Sequence, residues 1–245
     1  GVNHHFGRAI FGVAIDCTFE KRRDGMSSAL NANNSSAILQ CRQLTVGFGD
    51  HALIQPFDWT VRAGERWAIL GVNGSGKTSL LHALLGAPMG EPQHSLSQID
   101  LMGEQLSQLS PRQQAQWRVW VPQRYEEPFT ITVAQALRSV APSATDEQMT
   151  AQLAQFGLQA HRHIWVHQLS GGERQRLTWA MAALRGAISA GSSRLWLLDE
   201  PFSAQDIAWQ KRLLTFLSQR EGAVVASIHD LNQVALFATH VLLLG

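Results

Sequence analysis

The segment that most constrains this chain is residues 71–78, which read GVNGSGKT and fit the pattern GxxxxGK[ST]. The apolar run WAIL at 67–70 precedes it, and the helix-forming run SLLHALL at 79–85 follows it. In this strand–loop–helix order, glycines let successive backbone N–H groups point at one anion, and the helix N-terminus adds partial positive charge. Lys77 is expected to neutralise terminal phosphates, and Thr78 to offer its hydroxyl to Mg²⁺. The segment therefore predicts a nucleoside triphosphate site.

The alternative is a glycine-rich turn without a ligand, which any doubly wound α/β protein needs. A turn alone requires neither the lysine nor the hydroxyl, so the triphosphate site is the favoured interpretation. The residues that we expect to contact the triphosphate in this segment are Gly71, Asn73, Gly74, Ser75, Gly76, Lys77, Thr78 and Ser79.

Composition narrows the class of protein further. A chain of 245 residues with 45% hydrophobic content can bury a sizeable core. Its 20 basic and 19 acidic residues give a net charge of +1, which does not favour a nucleic-acid partner. Cys17 and Cys41 form no CxxC pair and fit a reducing compartment such as the cytosol. No apolar stretch approaches the roughly 18 residues that span a bilayer, and no secretion signal is evident.

The chain divides into a polar tail and a folded domain. Residues 1–36 are rich in turn formers and are predicted to be a flexible tail, in which Met26 is the expected start and the residues before it are non-native. Residues 37–245 are predicted to form one domain. Short β-type runs before the phosphate loop predict a small strand-rich lobe, and the Gln-rich segment at about 107–185 predicts an inserted helical lobe. Strands at 195–198, 223–227 and 241–244 alternate with helices, which indicates an α/β fold with a covered parallel sheet.

Two further groups of residues are expected at carboxyl ends of strands, where open α/β sheets bind their ligands. The run LWLL at 195–198 ends in Asp199 and Glu200. Asp199 is expected to hold Mg²⁺ through water, and Glu200 is expected to polarise an attacking water. The alternative is a strand that ends in a solvated acidic turn, and the phosphate loop in the same chain makes that alternative less favoured. His229 follows the next strand and can donate to a γ-phosphate oxygen.

A second anion-binding helix start is predicted from the segment LSGGERQR at 169–176. Ser170 precedes Gly171 and Gly172, which open an amphipathic helix that has no strand immediately before it. One molecule has no evident use for a second phosphate clamp far from the first. Two copies facing head to tail do, because each can present this segment to the triphosphate held by the other.

These motifs together resemble those of the ATP-binding subunits of ABC transporters, in order and over about residues 38–245. GVNGSGKT matches the Walker A loop, LSGGE the signature, and residues 195–200 the Walker B strand. By the same resemblance, Gln123 is the Q-loop glutamine, His229 the switch histidine and Phe48 an adenine-stacking aromatic. The D-loop reads SAQD at 203–206, with Gln205 where the family usually has leucine. Members of the family normally continue beyond the position of Gly245, so a truncated chain is expected.

The resemblance implies a P-loop NTPase core with a parallel sheet, a small antiparallel β lobe and an inserted helical lobe. It also implies ATP hydrolysis by two copies that sandwich ATP, driving a separate transmembrane permease from the cytoplasmic face of the cell membrane. The expected catalytic residues are Glu200, His229 and Gln123, and the expected Mg²⁺ ligands are Thr78, Gln123 and Asp199. Arg124, Tyr125 and Phe129 are candidates for lining the groove that couples to the permease.

Three functions remain open within this family. The run HDLNQVA at 229–235 resembles subunits that serve importers of iron chelates, haem and cobalamin, which makes an importer the favoured interpretation. An exporter subunit or a soluble ABC ATPase is the alternative. His161, His163 and His167 are spaced HxHxxxH, but without an acidic or cysteine partner they predict a surface or core role rather than a metal site. Trp117 and Trp120 are predicted to be packing residues in the helical lobe.

Overall fold

The computed structural model describes residues 37–48, 51–86, 99–125, 127, 129–188, 194–203 and 205–245. The tail predicted at 1–36 lies outside these described residues. In chain order the strands and helices are β1 (Ala37–Phe48), β2 (His51–Arg62), β3 (Arg66–Gly71), α1 (Lys77–Leu84), β4 (Ile99–Leu101), β5 (Glu104–Gln105), α2 (Pro111–Trp117), β6 (Arg118–Val121), α3 (Val133–Val140), α4 (Asp146–Gln155), α5 (Gly171–Ile188), β7 (Leu195–Asp199), α6 (Ile207–Ser218), β8 (Ala223–Ser227), α7 (Leu231–Phe237) and β9 (His240–Leu244).

Two sheets form the framework of the fold. The first is antiparallel, in the order β2-β1-β4-β5, and the second is parallel, in the order β6-β7-β8-β3-β9. Both β7 and β8 are buried along their whole length, which explains why their sequences are continuous apolar runs rather than alternating ones. The predicted α/β fold with a parallel sheet and a small antiparallel one is confirmed.

Both faces of the parallel sheet are covered, and successive residues of β7 show how. Trp196 and Leu198 pack into the core that the helices α3 to α6 share with one face of the sheet. Leu195 and Leu197 pack into a second core, which α1 and the antiparallel sheet share with the opposite face. This alternation follows from the period of two along a strand. The long helix α5, buried from Leu177 to Leu184, forms the centre of the first core.

The strand order brings three predicted motifs to one edge of the sheet. Strands β7, β8 and β3 are consecutive neighbours and all parallel. Their carboxyl ends therefore lie side by side, and these ends lead into the phosphate loop, into Glu200 and into His229. Residues far apart in sequence are placed together by topology alone.

Several helix starts in the inserted segment share one capping device. Thr132, Thr145 and Ser110 each accept a hydrogen bond from the backbone N–H three residues later, and the glutamine at that position returns a side-chain contact to the cap residue. This arrangement satisfies backbone donors that the helix itself leaves free. Part of the Gln-rich composition therefore specifies helix starts.

In the described part of the chain, no helix has the length and apolar character needed to cross a bilayer.

Candidate active site

The phosphate loop connects β3 to α1 through backbone conformations that favour glycine. Gly74 has φ +83° and Gly76 has φ +92°, both in the left-handed region. Gly76 is also the N-cap of α1, and no described side chain caps that helix start. The hydroxyl of Ser75 is buried and has no hydrogen-bond partner among the described residues. An uncapped helix start beside an unpaired buried hydroxyl fits an anionic ligand such as a triphosphate.

Lys77, the first residue of α1, is folded back onto the loop. Its Nζ atom donates to the carbonyl oxygens of Gly71 at 2.8 Å and Val72 at 3.0 Å. Burial lowers the pKa of Lys77, while the carboxylates of Glu200 and Asp199 oppose this by raising it. The loop itself thus holds the ammonium group in the turn where phosphates are expected to bind.

Asp199 lies at the end of β7 and is held through both carboxylate oxygens. Its Oδ2 accepts a hydrogen bond from the Thr78 hydroxyl at 3.0 Å, and its Oδ1 accepts one from the Ser227 hydroxyl at 2.6 Å. A hydroxyl and a carboxylate in contact are hard oxygen donors of the kind that Mg²⁺ prefers. The residues present therefore fit the metal that was predicted for Thr78 and Asp199.

Glu200 follows Asp199 in the chain and contacts the other two predicted catalytic residues. Its Oε2 accepts a hydrogen bond from Gln123 Nε2 at 2.6 Å, and its Oε1 contacts Nε2 of His229. The three side chains come from three different loops at the carboxyl edge of the sheet. Glu200 has φ +47°, a backbone conformation that non-glycine residues adopt at an energetic cost. Its N–H donates to the Ser227 hydroxyl at 2.8 Å.

The signature segment forms a helix start, as the sequence predicted, and this helix start is capped by its own side chains. Its role in binding an anion stays a prediction. Ser170 donates from its backbone N–H and from its hydroxyl to Glu173 Oε2, both at 2.8 Å. The backbone bond from Ser170 is the main cause that lowers the pKa of Glu173. The hydrogen bonds of Ser170 therefore lie within its own helix start, with Gly171 and Gly172 as the first residues of α5.

Sequence reasoning missed three contacts around these motifs. His161 Nε2 lies 3.0 Å from Glu173 Oε1, so the histidine run does have an acidic neighbour, contrary to expectation. Even so, no group of three or more metal-binding side chains occurs in the described ranges. Gln205, the unusual D-loop residue, hydrogen-bonds to Gln175 of α5. The third is the contact of Ser227 with the consecutive residues Asp199 and Glu200, and its one signal in the sequence is a polar residue that ends an apolar strand.

The remaining predicted positions vary in how far they can be described. The side chain of Phe48 lies outside the described residues, so its stacking role stays a prediction. Trp117 and Trp120 are packing residues, as predicted, but they pack against the second core rather than within the helical lobe. Phe129 is 72% exposed.

A groove of about 380 Å³ lies beside Gln123, between α2, β6 and α5. Tyr125 lines it, and Arg124 lines a neighbouring pocket together with Gln123. Their role in coupling to a permease stays a prediction. Most of the groove wall is apolar, and two arginines lie in it. Its main lining residues are Leu85, Pro111, Ala115, Arg118, Trp120, Pro122, Met181, Ala182 and Arg185.

Known proteins with similar sequences identify the family to which this site belongs. A family model described as ABC transporter matches residues 54–203. The chain belongs to the ABC transporter family. As a member it is an ATP-binding ATPase, and the P-loop NTPase fold is confirmed. The hemin import ATP-binding protein HmuV of Roseobacter denitrificans is 33% identical over 217 residues, covering 84% of this chain and 81% of that protein.

Two further comparisons agree with this membership. HmuV of Ruegeria sp. is 34% identical and covers 83% of this chain and 80% of its own length. A solved structure described as the ATP binding subunit of an ABC transporter superposes with a TM-score of 0.72 at 20% sequence identity, covering 84% of this chain and 85% of its own. At that identity the superposition supports the fold alone.

Proposed function

We propose that this chain is the ATP-hydrolysing subunit of an importer for haem, another iron chelate or cobalamin, and that it drives a separate membrane permease. The observation that carries the proposal is the meeting of Gln123, Glu200 and His229 beside Asp199 and the phosphate loop. Support for the substrate class comes from the relatives named as hemin import proteins and from the run HDLNQVA at 229–235.

The side chains suit in-line attack of water on a γ-phosphate. Lys77 and the start of α1 offset phosphate charge, and Thr78, Asp199 and the amide oxygen of Gln123 would hold Mg²⁺. When bound, Mg²⁺ neutralises charge on the β- and γ-phosphate oxygens. Glu200 orients the attacking water and accepts its proton, while His229 donates to a γ-phosphate oxygen.

Completion of the site by a second copy is the next element of the proposal. Ser170, Gly171 and Gly172 form a helix start whose hydrogen bonds lie within its own segment, which leaves the cluster around Glu200 without this clamp from the same copy. Two copies arranged head to tail would each supply the clamp to the other's ATP. Hydrolysis per copy then rises with protein concentration.

Coupling to the permease is assigned to the groove beside Gln123. Its wall is mainly apolar, with Tyr125 and Trp120 at its surface and Arg118 and Arg185 at its polar side. A helix of the permease with an apolar face and acidic residues would fit this wall. Gln123 contacts Glu200, and its neighbours in the chain, Pro122 and Tyr125, line the groove. Docking of the permease in the groove and hydrolysis of ATP would therefore both act on the segment around Gln123. On this proposal the chain works at the cytoplasmic face of the cell membrane.

The test is purification of the native complex from membranes, followed by identification of the co-purifying membrane protein and measurement of ATP hydrolysis in vesicles. We expect a permease to co-purify with the chain. In vesicles, we expect haem, an iron chelate or cobalamin to stimulate ATP hydrolysis when the matching binding protein is present. Recovery with ribosomal or scaffold proteins alone would contradict the transport role. Stimulation only by substrates that leave the cell would favour an exporter.

Concentration dependence tests the two-copy site separately. Specific ATPase activity is measured over a hundredfold dilution series of the purified chain, with Lys77→Ala as the inactive control. We expect activity per copy to fall on dilution. A constant value across the series would refute the shared site and would leave the permease proposal standing.

A further inference from the structure

Ser227 ends strand β8 at the centre of the parallel sheet, with β7 on one side and β3 on the other. Its exposed fraction is 0%, so water cannot serve its hydroxyl. The hydroxyl instead has two protein partners. It donates to Asp199 Oδ1 at 2.6 Å and accepts a hydrogen bond from the backbone N–H of Glu200 at 2.8 Å. One oxygen atom thus connects two consecutive residues to which different roles are assigned.

The first partner determines which way the carboxylate of Asp199 faces. With Oδ1 held by Ser227, the other oxygen, Oδ2, reaches the hydroxyl of Thr78 at 3.0 Å. Asp199 is only 5% exposed, and a buried carboxylate that loses a hydrogen-bond donor loses a strong, charge-assisted contact. Without the Ser227 hydroxyl, only the Thr78 hydrogen bond of this pair would remain to orient the carboxylate.

The second partner holds the backbone of Glu200 in an unfavourable conformation. At φ +47° a glutamate pays a steric cost that surrounding contacts must offset. The Ser227 hydroxyl accepts the N–H of this same residue, and the side chain then reaches both Gln123 and His229. Loss of the acceptor would free the backbone to relax and would move the carboxylate with it.

We propose that Ser227 is a positioning residue for ATP hydrolysis, whose hydroxyl aligns the metal-side carboxylate of Asp199 with the water-side carboxylate of Glu200. The inference rests on the roles proposed above for those two residues. Ser227 acts through them, because its buried hydroxyl is bonded to both. Its removal is expected to impair both the use of Mg²⁺ and the chemical step, while binding of the nucleotide by Lys77 and the loop is spared.

The experiment compares Ser227→Ala with the wild-type chain by titrating Mg²⁺ at saturating ATP. We expect kcat to fall about tenfold to a hundredfold and half-saturating Mg²⁺ to rise about tenfold, in line with the loss of a hydrogen bond to a charged group. The affinity for a fluorescent ATP analogue in EDTA should stay within about twofold, because the Lys77 ammonium group is held by Gly71 and Val72, and neither bond involves Ser227.

Two more variants separate positioning from general stability. Ser227→Cys fills nearly the same volume with a weak hydrogen-bonding group, so it should repeat the Mg²⁺ defect even where the alanine variant folds poorly. Thr239→Ala is the matched control, because the hydroxyl of Thr239 bonds to the backbone of Arg66 at the opposite ends of the strands, at 2.9 Å and 3.2 Å. It should lower thermal stability and leave the Mg²⁺ dependence unchanged.

The possible outcomes distinguish an error in the positioning role of Ser227 from an error in the roles of Asp199 and Glu200. Wild-type kcat and Mg²⁺ dependence in both Ser227 variants would overturn the inference, as would equal kcat losses in the Ser227 and Thr239 variants with no shift in Mg²⁺ dependence. Should Ser227→Ala behave normally while Glu200→Gln is inactive, the positioning role alone is wrong. Should Glu200→Gln hydrolyse ATP at the wild-type rate, the roles on which the inference rests are wrong as well.

Discussion

Replacement of Glu200 by glutamine isolates the chemical contribution of one carboxylate. The glutamine amide can accept the hydrogen bond from Gln123 and can also contact His229, so the side chain keeps both of its present partners. The backbone N–H still donates to Ser227, which preserves the φ of +47°. Position is therefore retained, and what is lost is the capacity to accept a proton from water.

The expected magnitude follows from that loss. A positioned general base contributes roughly 10²–10⁴-fold to a rate. At about 1.36 kcal/mol per tenfold change, this corresponds to roughly 2.7–5.4 kcal/mol in the activation free energy. We therefore expect kcat for Glu200→Gln to fall at least about a hundredfold, while ATP affinity changes by less than about threefold.

The assay is single-turnover release of phosphate, combined with size-exclusion chromatography in the presence of ATP and Mg²⁺. Because ATP persists in the variant, the two-copy complex should accumulate and elute as a dimer, whereas the wild-type chain returns to monomer. Glu221→Gln, in an exposed loop before β8, is the matched control and should behave as wild type. A kcat within threefold of wild type would refute the assignment of Glu200 as the residue that activates water.

Three further outcomes are expected. Lys77→Ala should weaken binding of a fluorescent ATP analogue by at least about a hundredfold, since it removes a charge-assisted phosphate contact; near-normal affinity would contradict the phosphate-loop assignment. In a Cys17→Ser background, Cys41 should resist a thiol reagent at pH 8 until the chain is unfolded, because burial raises its pKa from 9.0 to about 12. Its contribution to stability is intact below pH 9.0 and declines as pH rises towards 12, because the unfolded thiol then loses its proton first. Thr132→Ala should destabilise the fold by about 0.5–2 kcal/mol in urea unfolding, through loss of the α3 cap, and an unchanged midpoint would contradict the capping role.

Local sequence patterns were sufficient for the elements that carry the site. The phosphate loop, the two acidic residues at the end of β7 and the histidine after β8 were all predicted with their neighbouring strands or helices, because each pattern depends on residues adjacent in the chain. The covered parallel sheet also followed, since the runs of β7 and β8 are apolar throughout. The roles assigned to these residues, from the chemistry of the motifs or from the resemblance, stay proposals.

Tertiary structure decided which side chains meet. The contacts of Ser227 with Asp199 and Glu200, of His161 with Glu173 and of Gln205 with Gln175 join segments whose spacing in sequence has no periodic relation. Such contacts depend on strand order and on the direction of each side chain after packing, which no local pattern encodes. The sequence by itself determined the chemical groups that line the edge of the sheet, because composition and local propensity are properties of short segments. Only the fold decided that one buried hydroxyl bridges two of them, because the ends of β7 and β8 become neighbours only when the parallel sheet forms.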